Sequence, residues 1–216
     1  MELLIVVVVL VALLAWALSR RNRPRTDEEL DARITDARRW TERLSGQLSA
    51  LTPTTVAARC ALSEAGRCYE AADDRAGGAT TAVGARLARE RAVEGMYYVR
   101  AARLAMDLDP GPPLPALPGR AEAGRVEELC TAEYGGRTLT ASPTPGEGTP
   151  HHHPGGQVAG RPVPAGWYCE PWWADARTAG HWDESATALF AALLAGAPGV
   201  GYSAEDFESG RGRTRD

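Results

Sequence analysis

The hydrophobic pattern changes twice along this chain. Leu3 to Leu18 is a run of sixteen apolar residues with no charge, followed at once by Ser19-Arg20-Arg21-Asn22-Arg23-Pro24-Arg25. From there the pattern becomes helical. Leu30, Ile34, Ala37, Trp40, Leu44, Leu48 and Leu51 recur every three or four residues, with Asp31, Arg33, Asp36, Arg38, Arg39, Glu42 and Arg43 between them. This predicts an amphipathic helix that needs a partner. Thr26 to Glu29 reads as its capping box, and the acidic first turn suits the helix dipole. Thr52-Pro53 fits an N-cap followed by proline at the first helical position. A second helix is expected from there to about Asp74, with Val56, Cys60, Ala61, Ala65, Cys68, Tyr69 and Ala72 on its apolar side. Gly77-Gly78 breaks it. Thr80 or Thr81 then caps a third helix to about Leu108, with Val83, Leu87, Val93, Met96, Tyr97, Val99, Leu104 and Leu108 as apolar positions. Gly84 and Gly95 weaken it locally. Short breaks between three such helices imply antiparallel neighbours, hence a small bundle or helical hairpin over residues 26–109. A homotypic coiled coil, on imperfect heptads, is the alternative.

The apolar run has a different destiny. With Met1 and Ser19 included, a helix over residues 1–19 is roughly 27 Å long, close to a hydrocarbon core of about 30 Å. Trp16 and the arginines can reach the interface and cover the shortfall. Glu2 and the α-amino group lie on one side, and Arg20, Arg21, Arg23 and Arg25 lie on the other, in a basic segment spanning 20–25. The positive-inside rule places the N-terminus outside and the bulk of the chain in the cytoplasm, as a single-pass protein of the inner membrane. The lipid bilayer is the first expected partner, since the four arginines also attract anionic headgroups. Ala15-Trp16-Ala17 resembles a cleavage site and would make an exported, envelope-binding protein. A signal peptide carries its positive charge before the apolar run, however, and here the charge follows it.

After the third helix the chemistry changes again. Residues 110–119 (Pro-Gly-Pro-Pro-Leu-Pro-Ala-Leu-Pro-Gly) read as a stiff extended linker, in preference to a docking peptide. A Gly/Pro/Trp-rich module is expected over 120–200. Val126–Cys130 and Arg137–Ser142 read as short strands around the hairpin signal Tyr134-Gly135-Gly136. The density of glycine, proline and aromatics from Thr149 to Trp173 predicts irregular backbone held by ring packing. Ala186–Ala195 is too short to span a bilayer and reads as a core or interfacial helix. Residues 201–216 read as a mobile polar tail.

Composition narrows the function classes. The net charge of −4 and pI of about 5.7 carry no basic footprint for nucleic acid. All 24 basic residues are arginine. Cys60 and Cys68 on one helix stand roughly 12 Å apart, beyond disulfide reach, and free thiols suit a reducing compartment. They read as small buried side chains. His151-His152-His153 invites a metal or enzymatic module completed by Cys169 or Cys130. Adjacent histidines in one loop do not present a single face to one ion, so stacked or hydrogen-bonded imidazoles are the stronger reading. Gly155 to Gly160 resembles a phosphate loop in composition only, because Arg161-Pro162 follows where Lys-Ser/Thr is needed. No catalytic constellation emerges and no cofactor is implied. The clustered aromatics Trp167, Tyr168, Trp172 and Trp173 serve equally well as a small core or as a membrane-interface belt and contact surface, with ligand binding behind both. Tyr97 and Tyr98 are the other candidates for a surface that meets a protein partner or a second copy.

Two segments carry a family resemblance. Thr149–Trp173, containing Thr-Pro-His-His-His-Pro-Gly-Gly and Arg-Pro-Val-Pro-Ala-Gly-Trp-Tyr-Cys-Glu-Pro-Trp-Trp, resembles conserved membrane proteins of actinobacteria such as mycobacteria and streptomycetes. So does Ala92–Arg103, leading into Met106–Pro112. The resemblance implies an N-terminal anchor and a second span after the Trp-Trp pair. It implies no activity and no catalytic residues. Asp175, Arg177, His181, Asp183 and Glu184 interrupt the second span here, so a span over 186–200 is disfavoured. The expected fold is mainly α: a transmembrane helix, a cytoplasmic antiparallel bundle, and a small C-terminal module with a hairpin. The expected role is interaction or scaffolding at the membrane.

Overall fold

A computed structural model describes residues 27–134, 137–182 and 188. The expected anchor with Trp16, Arg20, Arg21, Arg23 and Arg25 lies outside the described residues, as do Thr26, the apolar stretch after 186 except for residue 188, and the tail. Among the described residues no helix is long and apolar enough to cross a membrane.

Three long helices are present: α1 over 27–50, α2 over Val56–Gly77 and α3 over Ala82–Ala105. The helix α2 starts three residues later than Thr52-Pro53 would place it. Thr55 is the N-cap, and its Oγ1 accepts from the Ala58 amide at 3.0 Å. The same hydroxyl donates to the Ala105 carbonyl at 3.2 Å, which ties the start of α2 to the end of α3. Thr81 caps α3 by accepting from the Gly84 amide at 3.1 Å. The helix α3 ends at Ala105, short of Leu108. Asp107 turns left-handed (φ 58°), the Asp107 amide donates to the Leu104 carbonyl, and the Leu108 amide donates to the Arg103 carbonyl. That is a Schellman stop.

The large apolar residues expected inside are partly outside. Val56, Val83, Leu87, Leu104 and Leu108 are exposed. The stripe that packs is alanine: Ala57, Ala58, Ala61, Ala65, Ala72 and Ala76 on α2, facing Ala85, Ala88, Ala92, Ala101 and Ala102 on α3. Small side chains let the two backbones approach, and the branched residues are displaced to the flanks. Ala37, Ala76 and Ala88 mark a point where all three helices meet. Leu44, Cys68 and Gly95 mark another, where a Cβ on Gly95 would lie 3.0 Å from the Cβ of Cys68 and would collide with Leu44.

The proline-rich run is bonded along its length to α3. Arg103 donates to the Asp109 carbonyl at 3.2 Å, Arg100 to the carbonyls of Gly111 and Pro112 at 3.1 and 3.2 Å, and the Tyr97 hydroxyl to that of Pro115 at 3.1 Å. Prolines have no N–H to form a ladder, so the carbonyls take side-chain donors instead. The expected free linker is therefore a strap.

Beyond a single-turn helix α4 (Arg120–Ala123), six short strands follow: β1 (Cys130–Tyr134), β2 (Arg137–Ser142), β3 (His151–His153), β4 (Gly156–Val158), β5 (Arg161–Val163) and β6 (Gly166–Tyr168). A short helix, α5 (Ala174–Ala179), comes last. The strand expected at Val126–Cys130 begins at Cys130 instead, because the Val126 amide donates to the Ala165 carbonyl at 2.8 Å. β1 and β2 form the expected hairpin, with Tyr134 opposite Arg137. The segment expected to be irregular supplies β3 and β6, which complete an antiparallel sheet in the order β1-β2-β6-β3. The glycine-rich stretch is a second hairpin, β4–β5, turning at Ala159-Gly160 with both residues at positive φ. Two left-handed residues between paired strands match the twist that a hairpin requires.

One prediction tests the three-helix contact. Gly95→Ala gains helix propensity of about 1 kcal/mol, yet overpacks against Leu44 and Cys68. A net loss of about 1–3 kcal/mol is expected in urea unfolding; a gain in stability would mean that the helices do not approach this closely.

Candidate functional site

The sheet alternates its side chains between two interiors. On β6, Trp167 faces the bundle and packs with Ala57, Ala58, Ala61, Ala101 and Ala102. Its neighbour Tyr168 faces the other way, into a core with Val126, Leu139, Val163, Trp172 and Trp173. β3 pairs with β6 in register, His152 opposite Trp167 and His151 opposite Tyr168. His152 therefore also faces the bundle, stacking on Trp167 at 4.8 Å and edge-on to Tyr98 at 6.0 Å. His153 faces the module core, 4.9 Å from Trp173, and its Nδ1 accepts from the Gly155 amide at 3.1 Å. The period of two along a strand sorts these residues.

The rings singled out from sequence as a contact surface are internal. Trp167, Tyr168, Trp172, Trp173, Tyr97 and Tyr98 are all buried. The core reading of the tryptophan cluster describes them, because a module poor in aliphatic residues builds its interior from rings. Tyr97 lies under the strap, and the Arg120 guanidinium sits 4.4 Å over its ring while donating to its hydroxyl at 3.0 Å. Tyr98 is fully buried, and its hydroxyl has no hydrogen-bond partner among the described residues.

The three histidines do not converge on an ion. The described residues hold no group of three or more His, Cys, Asp or Glu side chains placed to share a metal. Burial, reinforced by nearby Arg120, lowers His152 to about 3, and burial holds His153 well below its usual value. Both rings are neutral packing elements. The Cys169 Sγ accepts from the Thr140 amide at 3.2 Å. All four cysteines are free, with Cys68 buried and Cys60 half-buried. Burial raises the thiols of Cys60, Cys68 and Cys130, so none of the three is an activated nucleophile.

A cleft of about 690 Å3 opens between α3, α5, the β4–β5 hairpin and the end of the strap. Leu87, Glu90, Arg91 and Glu94 form one wall, and Arg177 and Gln157 stand opposite. Two of its arginines are paired with carboxylates. Arg91 meets Glu94 at 2.6 Å, and Arg177 meets Glu64 of α2 at 2.9 Å. The Glu94 carboxylate raises the pKa of Arg91; for Arg177 burial is the largest single influence and opposes the charge, but Glu64, Tyr98 and Glu94 together raise its pKa. This set can recognise a polar or mixed-charge surface, and it holds α5 to the bundle. Sequence reading missed Arg100, Arg103, Arg120 and Arg177 as structural donors. The one available signal was the proline run, whose carbonyls had to find donors somewhere.

No protein-family model, no curated protein and no solved structure matches the chain.

The buried imidazoles carry a pH consequence. A histidine whose folded pKa is depressed contributes stability that is present above its unfolded value near 6.5 and is lost as pH falls toward the folded value. The urea midpoint should be flat above neutrality. It should fall from about pH 6.5 downward, by up to about 1.4 kcal/mol per pH unit for each ring. His152→Phe keeps a ring against Trp167 and Tyr98, and should reduce that slope; an unchanged acid limb would show that His152 is not held neutral.

Proposed function

We propose that this chain is a single-pass inner-membrane protein that holds its folded body, residues 27–182, in the cytoplasm as an interaction or scaffolding unit. The reading rests on one observation. The sixteen-residue apolar run and its four trailing arginines end at Arg25, and the described part of α1 opens at Asp27. A body joined so closely to a membrane segment works next to the bilayer. The likeness of Ala92–Arg103 and Thr149–Trp173 to actinobacterial membrane proteins supports the same location.

Because the aromatic candidates are internal, the contact surface is sought at the cleft. Leu87 lies on its wall and is 44% exposed, and Val83 sits one turn earlier on α3 at 58%. Apolar side chains beside paired charges form the composition of an interface rim.

Two measurements in cells test this proposal. Reporter fusions after Arg25 and after Asp216 should both read as cytoplasmic; an exterior signal from both would overturn the orientation. A photo-crosslinking residue at Leu87 should capture a partner or a second copy, whereas one at Leu129, exposed but outside the cleft, should not. Recovery of monomer alone from both positions would sink the interaction reading.

A further inference from the structure

A second groove, of about 330 Å3, opens on the other side of Tyr97. Its apolar floor and rim are Ala101, Leu104, Pro113 and Leu114, and it also receives Arg100, Arg120 and the edge of His152. The charge balance here differs from the rest of the body. Arg89, Arg91 and Arg177 each meet a carboxylate. Among the described residues neither Arg100 nor Arg120 does. Arg100 spends Nη1 on two strap carbonyls. Arg120 spends Nε on the Pro154 carbonyl at 2.8 Å and Nη1 on the Tyr97 hydroxyl. A guanidinium has five N–H donors, so each retains its Nη2 pair. Both are held in place, Arg100 by the strap and Arg120 by stacking on Tyr97. Two oriented, uncompensated guanidiniums that line one apolar groove supply preorganised donors for an oxyanion. A phosphate offers three acceptor oxygens to this donor set, where a carboxylate offers two.

We propose that this groove binds a phosphate-bearing amphiphile, with the phosphate between Arg100 and Arg120 and the apolar portion along Leu104, Pro113 and Leu114. The volume suits a small head and a short length of chain. The neutral imidazole of His152 closes the inner end without adding charge. The site does not depend on the orientation of the N-terminal segment. Its ligand is a lipid-type phosphate in preference to a free phosphate ion.

The test uses the full chain in maltoside micelles, titrated calorimetrically with dodecyl phosphate and separately with inorganic phosphate. Leu104 is 48% exposed, so Leu104→Glu places a carboxylate at the groove without disturbing the core. Arg100→Gln removes a guanidinium, and its melting curve reports whether the strap remains in place. Saturable binding of dodecyl phosphate is expected, weakened about tenfold or more in each variant. Much weaker binding of inorganic phosphate assigns the lipid-type ligand. Equal binding of both overturns the amphiphile, because the apolar portion would then add nothing. No saturable binding, or binding that Leu104→Glu leaves unchanged, overturns the proposal; the latter would trace the affinity to Arg20–Arg25.

Discussion

The fold depends on the seating of Trp167 among the alanines of α2 and α3. An indole needs a broad apolar recess, and two helices lined with Ala57, Ala58, Ala61, Ala101 and Ala102 provide one. Remove the small residues and the helices have no socket; remove the ring and the sheet has no deep contact with the bundle. The ion pair from Arg177 to Glu64 and the contact of His152 with Tyr98 reinforce the same junction. Helical and sheet halves thereby share one interior, although their compositions look like those of separate modules.

This junction also explains why the sheet tolerates histidines. On β3, successive imidazoles fall into two different cores, each against an indole. A half-polar ring is acceptable there because it stays uncharged, and because aromatic edges and faces complement one another. The same economy governs the strap. A stretch unable to form a ladder is held by arginines and a tyrosine projecting from α3, and one of those arginines, Arg100, also lines the neighbouring groove.

How much of this was legible in the sequence varies by element. The helical repeat from Leu30 to Leu51 was readable, and the cap of α3 was narrowed to Thr80 or Thr81, because period and cap are local. The hairpin across Gly135-Gly136 was readable for the same reason. The cap at Thr55 was not, since what selects it over Thr52 is a carbonyl fifty residues away on α3. Nor was the burial of alanine in place of leucine: a helical wheel ranks residues by hydrophobicity, whereas close helix packing ranks them by size. The strands at 151–168 were hidden because each has three residues, too few to display alternation. For the aromatic cluster, composition supported core and surface alike, and only the pairing of β6 with β3 separates them.

The strap has a consequence for how this molecule could move. Most secondary structure advertises its opening through amide hydrogens that begin to exchange with solvent. Residues 110–118 contain five prolines, which have no amide to exchange. Its attachments run through guanidinium and phenol groups to carbonyl oxygens. The segment could lift from α3 and leave the exchange record of its own backbone nearly blank, so that its motion would be visible only in the side chains that had been holding it.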